Sequence, residues 1–176
     1  MANFKEAFDL MIIHEGGYVN DPSDSGGETF VGISRSNFPS WEGWKVIDVA
    51  KTLSGFPLSL NKDEKLQNLI FSFYRDNFWN PIKGDLITNQ KIANSIFDFA
   101  VNAGVGTSAK LAQRVVGVND DGIIGNGSIE AINSFDAELF IPLFTIAKVK
   151  RYIEICKKKE TNKKFFFGWI DRTING

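Results

Sequence analysis

The chain has 176 residues, of which 43% are hydrophobic and 23% are charged. This composition supplies a sizeable core and excludes an intrinsically disordered chain. A single His and a single Cys exclude an internal disulfide framework, and His14 with Cys156 is too small a set for the usual zinc hydrolase sites.

The composition also argues against a hydrolase with a Ser or Cys nucleophile. A Ser-His-Asp or Cys-His mechanism would have to rely on His14 alone. The sequence has no G-x-x-x-x-G-K-[ST] loop, which argues against a P-loop nucleotide enzyme. We therefore predict no metal and no cofactor, and we expect carboxylates to carry any acid–base chemistry.

Charge is distributed unevenly along the chain. Residues 1–144 contain 11 Lys and Arg against 18 Asp and Glu, whereas residues 145–176 contain 9 against 3. A basic end suits an anionic partner such as a cell-wall polymer, a membrane surface or nucleic acid. No nucleic-acid recognition motif accompanies it, so we expect no nucleic-acid partner. A solvated helix face is the alternative interpretation.

The amino-terminal segment is not a secretion signal. It lacks a basic start, an uninterrupted apolar stretch and a small-residue cleavage site. Nowhere does the sequence approach the roughly 20 apolar residues that cross a bilayer. We expect synthesis in the cytoplasm, no stable membrane insertion, and export by a route other than the general secretion pathway.

The periodicity of apolar residues predicts a mainly helical fold. The first helix is capped by Asn3, with Glu6 as the capping-box partner, and it ends at Gly16-Gly17. Residues 18–34 are rich in turn formers and predict a small β-hairpin lobe. Five later helices are predicted. The first is capped by Asn61, the second covers 89–103, and the third is capped by Thr107 and ends at Val116. The fourth is opened or interrupted by Pro142 and reaches about Lys158, and the last covers 164–174.

Glu15 is the strongest candidate for chemistry. The helical period places it within about 20° of the face marked by Phe4, at the end of an apolar stripe. A carboxyl at the margin of a core is partly desolvated, and desolvation favours the protonated form that a general acid needs. On geometry alone, a structural Glu bonded to neighbouring backbone or to an Arg is the stronger alternative.

The Gly-rich lobe supplies two possible partners for Glu15. Asp24 and Thr29 follow it by 9 and 14 residues. A lobe folded back over the helix end would bring both groups opposite Glu15. Glycosidases combine a carboxyl that protonates the leaving oxygen with a second group that activates water or stabilises the charged centre. Asp24 before a Gly-rich turn is also an ordinary turn residue.

Several segments together resemble glycoside hydrolase family 108, the phage-endolysin-like N-acetylmuramidases, some of which are called secretion activator proteins. The segments are E-G-G-Y at 15–18, N-D-P at 20–22, D-S-G-G-E-T at 24–29, G-I at 32–33, F-Y-R-D-N-F-W-N-P-I-K-G-D at 73–85, F-D-F-A-V-N-A-G at 97–104, V-G-V-N-D-D-G-I-I-G at 116–125 and K-F-F-F-G-W-I-D-R at 164–172. The resemblance covers essentially the whole chain. Its second half is similar to the predicted peptidoglycan-binding region of that family.

This resemblance implies a lysozyme-like helical fold with a small hairpin lobe after the first helix. It also implies cleavage of the β-1,4 bond between N-acetylmuramic acid and N-acetylglucosamine, with Glu15 as the catalytic acid. The Glu-x8-Asp-x4-Thr spacing is one residue shorter than the phage-type lysozyme pattern, which leaves the roles of Asp24 and Thr29 open. Ser25 stands where the family usually has Pro.

Other residues are candidates for binding the glycan. Tyr18 follows the Gly-Gly break and is either a cleft hydrogen-bond donor or a packed aromatic. Asn102 suits an acetamido group, and Asp98 lies four residues before it on the same predicted helix face. Trp79 and Trp169 are either sugar-stacking or core aromatics. The segment Asn119–Gly125 resembles a peptidoglycan-binding loop, although it is also an ordinary turn sequence.

The sequence thus predicts a monomeric lysozyme-type muramidase that acts on peptidoglycan glycan strands at the cell wall. We expect residues 1–90 to form the catalytic region, and residues 91–176 a peptidoglycan-binding region packed onto it as one compact unit. The resemblance implies release through a holin-type pore or by lysis. Two alternatives remain: a lytic transglycosylase that uses the same Glu15, and a non-catalytic wall-binding or export adaptor.

Overall fold

A computed structural model describes residues 1–13, 15–21 and 27–175. The chain divides into two compact units, which we call the hairpin unit (Phe8–Asn77) and the helical unit (Met1–Ala7 with Phe78–Gly176). The predicted fold class, mainly helical with a small sheet after the first helix, is confirmed. The predicted functional division into residues 1–90 and 91–176 stays a prediction.

The first helix, α1 (Phe4–Ile12), begins where the sequence predicts because Asn3 caps it. The Asn3 side chain accepts a hydrogen bond from the backbone N–H of Lys5 at 2.8 Å. The predicted capping-box partner was Glu6. Instead, the backbone N–H of Asn3 donates to Oε1 of Gln90 at 2.6 Å, so a distant side chain completes the cap.

Three short strands follow α1 in the hairpin unit: β1 (Tyr18–Asn20), β2 (Glu28–Phe30) and β3 (Ile33–Ser34). They form an antiparallel sheet in the order β1-β2-β3, as the turn-rich sequence predicts. Thr29 pairs with both neighbours, opposite Val19 on one side and Ser34 on the other. Only Val31 and Gly32 separate β2 from β3, so this hairpin turns within two residues.

Two helices complete the hairpin unit, α2 (Gly43–Ala50) and α3 (Glu64–Tyr74), and the chain continues from α3 into a π-helical turn at Arg75–Trp79. The sequence analysis did not predict α2. The apolar side chains of these elements form the core of this unit. Its largest fully buried residues are Met11, Phe30, Ile33, Ile47, Leu60, Leu66 and Tyr74.

The predicted cap of α3 was wrong by two residues. Asp63 is the N-cap, and its side chain accepts from the N–H of Leu66 at 2.8 Å. Asn61 instead lies in a preceding 3₁₀-helix, Leu58–Lys62. Asp and Asn cap helices about equally well, so their identities do not separate the two positions.

The helical unit is built from five helices: α4 (Gln90–Ala103), α5 (Val105–Val116), α6 (Asn126–Ser134), α7 (Ala137–Lys158) and α8 (Lys163–Asn175). All but α6 were predicted. Buried aromatic side chains of this unit include Phe97, Phe99, Phe140 and Phe144. Within the described residues, no helix combines the length and the apolar character needed to cross a membrane.

Two predicted helix boundaries in this unit were wrong. Thr107 does not cap α5, because the helix starts directly after Gly104 and Thr107 lies in its first turn. Pro142 neither opens nor interrupts α7. The helix starts earlier, at Ala137, and it continues through the proline. Its N-cap is Asp136, whose side chain accepts from the N–H of Glu138 at 2.9 Å.

A buried lysine lies among the helices of this unit. Lys148 of α7 is only 6% exposed, and its ammonium group donates to the Ser95 hydroxyl at 3.1 Å. It lies 5.0 Å from the centre of the Phe144 ring. Burial lowers the pKa of Lys148 from 10.5 to about 8, against the opposing effect of the nearby Asp98 carboxylate.

This lowered pKa predicts a pH-dependent stability. Below about pH 8, Lys148 is charged in both the folded and the unfolded chain, and the folded chain bears the full cost of burying the charge. Between pH 8 and 10.5 the unfolded chain binds more protons, so stability rises with pH. Relative to a Lys148→Met variant, the wild type should gain about 2 kcal/mol of unfolding free energy between about pH 7 and about pH 9.5.

Urea denaturation of both proteins at the two pH values measures this difference, because all other titrations cancel between them. Lys150→Met, on the exposed side of the same helix, is the matched control and should show no such change. A constant difference between wild type and Lys148→Met across this range would contradict the prediction.

Candidate active site

Glu15 lies just beyond α1. The helix ends at Ile12 rather than at the predicted Gly16-Gly17, and the backbone N–H of Glu15 donates to the Ile12 carbonyl at 3.1 Å. The side chain is half-buried. Two residues later, the Gly17 carbonyl accepts from the N–H of Val31 at 3.4 Å, which brings the β2–β3 turn to this segment.

The β2–β3 turn has an unusual backbone. Val31 has φ +46° and Gly32 has φ +72°, so both central residues lie in the left-handed region, as in a type I′ turn. Glycine adopts this conformation at little cost, but a β-branched valine rarely does. The surrounding structure must therefore hold Val31 in place.

Tyr74, the last residue of α3, supplies that restraint. Its hydroxyl donates to the Val31 carbonyl at 2.8 Å, and the side chain is only 1% exposed. The ring packs against Phe73, with centroids 5.4 Å apart, and against Phe8 at 5.9 Å. A buried hydroxyl on a fixed ring thus ties the strained turn to α3.

Gly32 leaves the space that Glu15 uses. A Cβ atom on Gly32 would collide with Oε2 of Glu15 and would lie 2.6 Å from the Tyr74 hydroxyl. The carboxylate of Glu15, the Tyr74 hydroxyl and the turn backbone therefore meet at one point. This makes an alanine at position 32 incompatible with the observed position of Glu15 on steric grounds as well as on backbone conformation.

The sequence analysis did not identify Gly32 or Tyr74 as site residues. Both occur within the segments that carry the family resemblance, but neither residue type signals chemistry by itself. A V-G pair between two short β-prone segments is a weak hairpin signal, since Asn-Gly and Asp-Gly are the usual pairs. The contact between Tyr74 and Val31 spans 43 residues, which local pattern analysis does not reach.

Tyr18, predicted to bind substrate, lies at the start of β1. Its hydroxyl donates to Glu28 at 3.0 Å, and its ring packs edge-on against Phe56 with centroids 4.7 Å apart. Burial, followed by the hydrogen bond to Glu28, raises the pKa of Tyr18. In this structure the Tyr18 hydroxyl therefore bonds to the hairpin lobe itself.

Glu28 is the centre of an ion-pair network that joins β2 to α2. Its carboxylate pairs with Arg35 at 2.8 Å and with Lys51 at 2.6 Å, and its side chain is 11% exposed. Asp48 of α2 pairs with Arg35 at 2.6 Å and with Lys51 at 3.1 Å. The Arg35 guanidinium hydrogen bond lowers the pKa of Asp48. The network thus links α2 to β2, the strand that leads into the β2–β3 turn.

Thr29 lies in the middle of β2 and is half-buried. Its hydroxyl donates to the Gly27 carbonyl at 3.4 Å. Asp24, the other predicted partner of Glu15, lies outside the described residues, as does His14. Within the hairpin unit, the structure thus places Glu15 at the turn and places Thr29 two residues before that turn.

The remaining predicted site residues belong to the helical unit. Trp79 is fully buried, and its indole N–H donates to Asp85 at 2.9 Å. It is therefore a core residue, and its ring has no exposed face on which a sugar could stack. Asp98 pairs with Arg172 of α8 at 2.9 Å, and Asn102, one turn further along α4, is exposed. Trp169 is half-buried and stacks on Tyr152 with centroids 5.0 Å apart.

Two protein-family models match this chain. The model of glycosyl hydrolase family 108 matches residues 8–104, which include Glu15, the sheet, Gly32 and Tyr74. The chain belongs to glycosyl hydrolase family 108. A second model, described as a predicted peptidoglycan domain, matches residues 107–174, from the first turn of α5 to α8. The family identifies the chain as a glycoside hydrolase.

A solved structure supports this membership over nearly the whole chain. The chain is similar to the structure of Brucella abortus SagA, with a TM-score of 0.71 and 30% sequence identity. The match covers 97% of this chain and 88% of that one. No curated protein matches the chain. The predicted family resemblance is thus confirmed.

The geometry at Gly32 yields a prediction for this family 108 chain. Gly32→Ala should displace the Glu15 carboxylate and lower wall-lysing activity by about a hundredfold, because small displacements of reacting groups are costly. It should also lower the unfolding free energy by about 1–2 kcal/mol through the left-handed backbone alone. Activity is measured on purified cell walls, and stability by denaturation.

Gly55→Ala is the matched control in the same unit. Gly55 has φ +93°, and an added Cβ would meet nothing closer than Ser59 at 3.9 Å. It should show a similar loss of stability with activity retained at temperatures where it is folded. Equal activity losses in the two variants, or full activity in Gly32→Ala, would contradict the role of this turn.

Proposed function

We propose that the chain is a lysozyme-type peptidoglycan hydrolase that cleaves the β-1,4 bond between N-acetylmuramic acid and N-acetylglucosamine, with Glu15 as general acid. The observation that carries this proposal is the position of the Glu15 carboxylate against the β2–β3 turn and the Tyr74 hydroxyl. Membership of family 108 supports the glycosidase chemistry. The match of residues 107–174 to a predicted peptidoglycan domain supports the substrate class.

The reaction requires one proton donor and one water molecule. Glu15 donates its proton to the glycosidic oxygen as the bond between that oxygen and the anomeric carbon breaks. Water supplies the oxygen for the new bond to the anomeric carbon. Its proton passes to the Asp24 carboxylate if Asp24 is the second group, or to the Glu15 carboxylate if Thr29 only positions the water. The turn and Tyr74 restrict where the Glu15 carboxyl can move, which lowers the reorganisation that the reaction needs.

Thr29 and Asp24 are the two candidates for the second group. The position of Thr29 on β2, two residues before the turn that contacts Glu15, supports this role for it. A hydroxyl positions water, whereas a carboxylate also accepts its proton. We propose that one of the two performs this function in the hairpin lobe.

Four further residues are proposed to contact the glycan. Asn102 is exposed and offers an amide to the acetamido groups, and half-buried Trp169 offers an aromatic ring for a sugar. Tyr18 and Asp98 remain proposed contacts. We propose that the enzyme acts as a monomer at the cell wall, which it reaches through a holin-type pore or on lysis.

Glu15→Gln tests the proposal directly. The substitution keeps the size of the side chain and removes the transferable proton, so reducing-sugar release from purified walls should fall by at least about a hundredfold. Binding to sedimented walls should persist. Glu64→Gln, at an exposed position in the same unit, is the matched control and should retain wild-type activity.

Two outcomes would overturn the assignment. Release of reducing sugar at the wild-type rate by Glu15→Gln would show that another group is the acid. A wild-type protein that sediments with walls yet leaves their turbidity unchanged would instead indicate a wall-binding adaptor.

A further inference from the structure

A groove runs between α5 and α7 on the helical unit, with a volume of about 450 Å³. We call it the α5–α7 groove. Its floor is apolar and includes Leu111, Val115, Leu143 and Ile146. Leu143 and Ile146 are 42% and 50% exposed, so the floor is open to a ligand. Its volume lies within the range of small-ligand pockets.

Cationic side chains border this apolar floor. Lys110 and Arg114 lie one turn apart on α5, and Lys150 and Arg151 lie on α7, whereas Glu154 is the only carboxylate among the lining residues. An apolar floor with a basic border is complementary to a ligand that carries both small alkyl groups and carboxylates.

The border keeps an excess of positive charge. Arg114 pairs with Asp120, but Lys110, Lys150 and Arg151 form no ion pair within the described part of the chain. The Lys110 and Lys150 side chains are exposed, so their ammonium groups are accessible to the carboxylates of a ligand.

The loop 119–125, which resembles a peptidoglycan-binding loop, serves as a support for this border. Buried Gln113 fixes the loop, since its side-chain amide donates to Asp121 at 2.8 Å and accepts from the N–H of Gly122 at 2.9 Å. Gly122 has φ +85°, and a Cβ there would lie 3.0 Å from Cε of Lys110. The loop therefore confines the Lys110 side chain and, through Asp120, that of Arg114.

The stem peptides of peptidoglycan have the chemistry that this groove fits. They are short, contain alanine, D-glutamate and a diamino acid, and end in a free carboxylate. We propose that the α5–α7 groove binds the stem peptide, with Lys110, Lys150 and Arg151 pairing with its carboxylates, and with Leu143 and Ile146 contacting its alanine methyl groups. The choice of ligand rests on the proposed function, and it adds a peptide-binding site to a glycan-cleaving enzyme.

Titration of the full-length protein with a free stem tetrapeptide, followed by calorimetry or NMR, tests the groove. Lys110→Glu/Lys150→Glu changes two exposed positions and should weaken binding at least about tenfold. Lys158→Glu/Lys159→Glu introduces the same charge change at exposed positions outside the groove, and should change binding less than twofold. Binding should also weaken as salt concentration rises.

Single substitutions guard against a folding defect. Lys150→Glu alters one exposed side chain without an ion pair in the described residues, and it should still weaken binding with an unchanged melting temperature. Unchanged tetrapeptide binding in both groove variants, or no binding by the wild type, would overturn the proposal. Groove-dependent binding of phosphatidylglycerol vesicles without tetrapeptide binding would assign the groove to a lipid surface and overturn it as well.

Assays of glycan cleavage distinguish a failure of the groove proposal from a failure of the proposed hydrolase function. On soluble glycan chains stripped of peptide, the groove variants should release reducing ends at the wild-type rate, whereas on intact walls they should be slower. Cleavage of stripped chains by a wild type that does not bind the tetrapeptide would refute the groove alone. Groove-dependent tetrapeptide binding by a protein that cleaves neither substrate would refute the hydrolase assignment alone.

Discussion

The hydrogen bond from the Tyr74 hydroxyl to the Val31 carbonyl is the constraint on which the candidate active site depends. It fixes a two-residue turn whose first position is a valine in the left-handed region. The second position, Gly32, leaves room for the Glu15 carboxylate. Without this bond the turn would lose the buried hydroxyl that holds Val31, and the backbone next to the Glu15 carboxylate would relax.

An ion-pair network holds β2, the strand that leads into this turn. Glu28 pairs with Arg35 and Lys51, which anchors β2 to α2, and the Arg35 guanidinium also lies 4.6 Å from the centre of the Trp44 ring. The Glu28 side chain is only 11% exposed, and a nearly buried carboxylate is costly to leave without its cations, so the network favours one arrangement of the lobe. A rigid lobe is what a site needs when a single carboxyl must stay in place during bond cleavage.

The sequence predicts local features of this protein well and distant contacts poorly. Asn3 is predicted correctly as a cap because its signal lies within one short segment. The helical period was wrongly extended to Glu15, since α1 ends at Ile12, and the catalytic role of Glu15 stays a prediction. Gly32 and Tyr74 are missed because their roles arise only when segments 43 residues apart meet. Trp79 shows the converse problem: residue type alone does not distinguish a sugar-stacking tryptophan from one that is fully buried.

If Glu15 donates a proton in a hydrolysis, as we propose, the oxygen of the new sugar end must come from water. Mass spectrometry of the fragments released from purified murein in heavy-oxygen water measures this directly. We expect reducing N-acetylmuramic acid ends that carry one solvent oxygen. Anhydro-muramic ends without solvent oxygen would contradict it, since they would mean that a hydroxyl of the sugar itself replaces water.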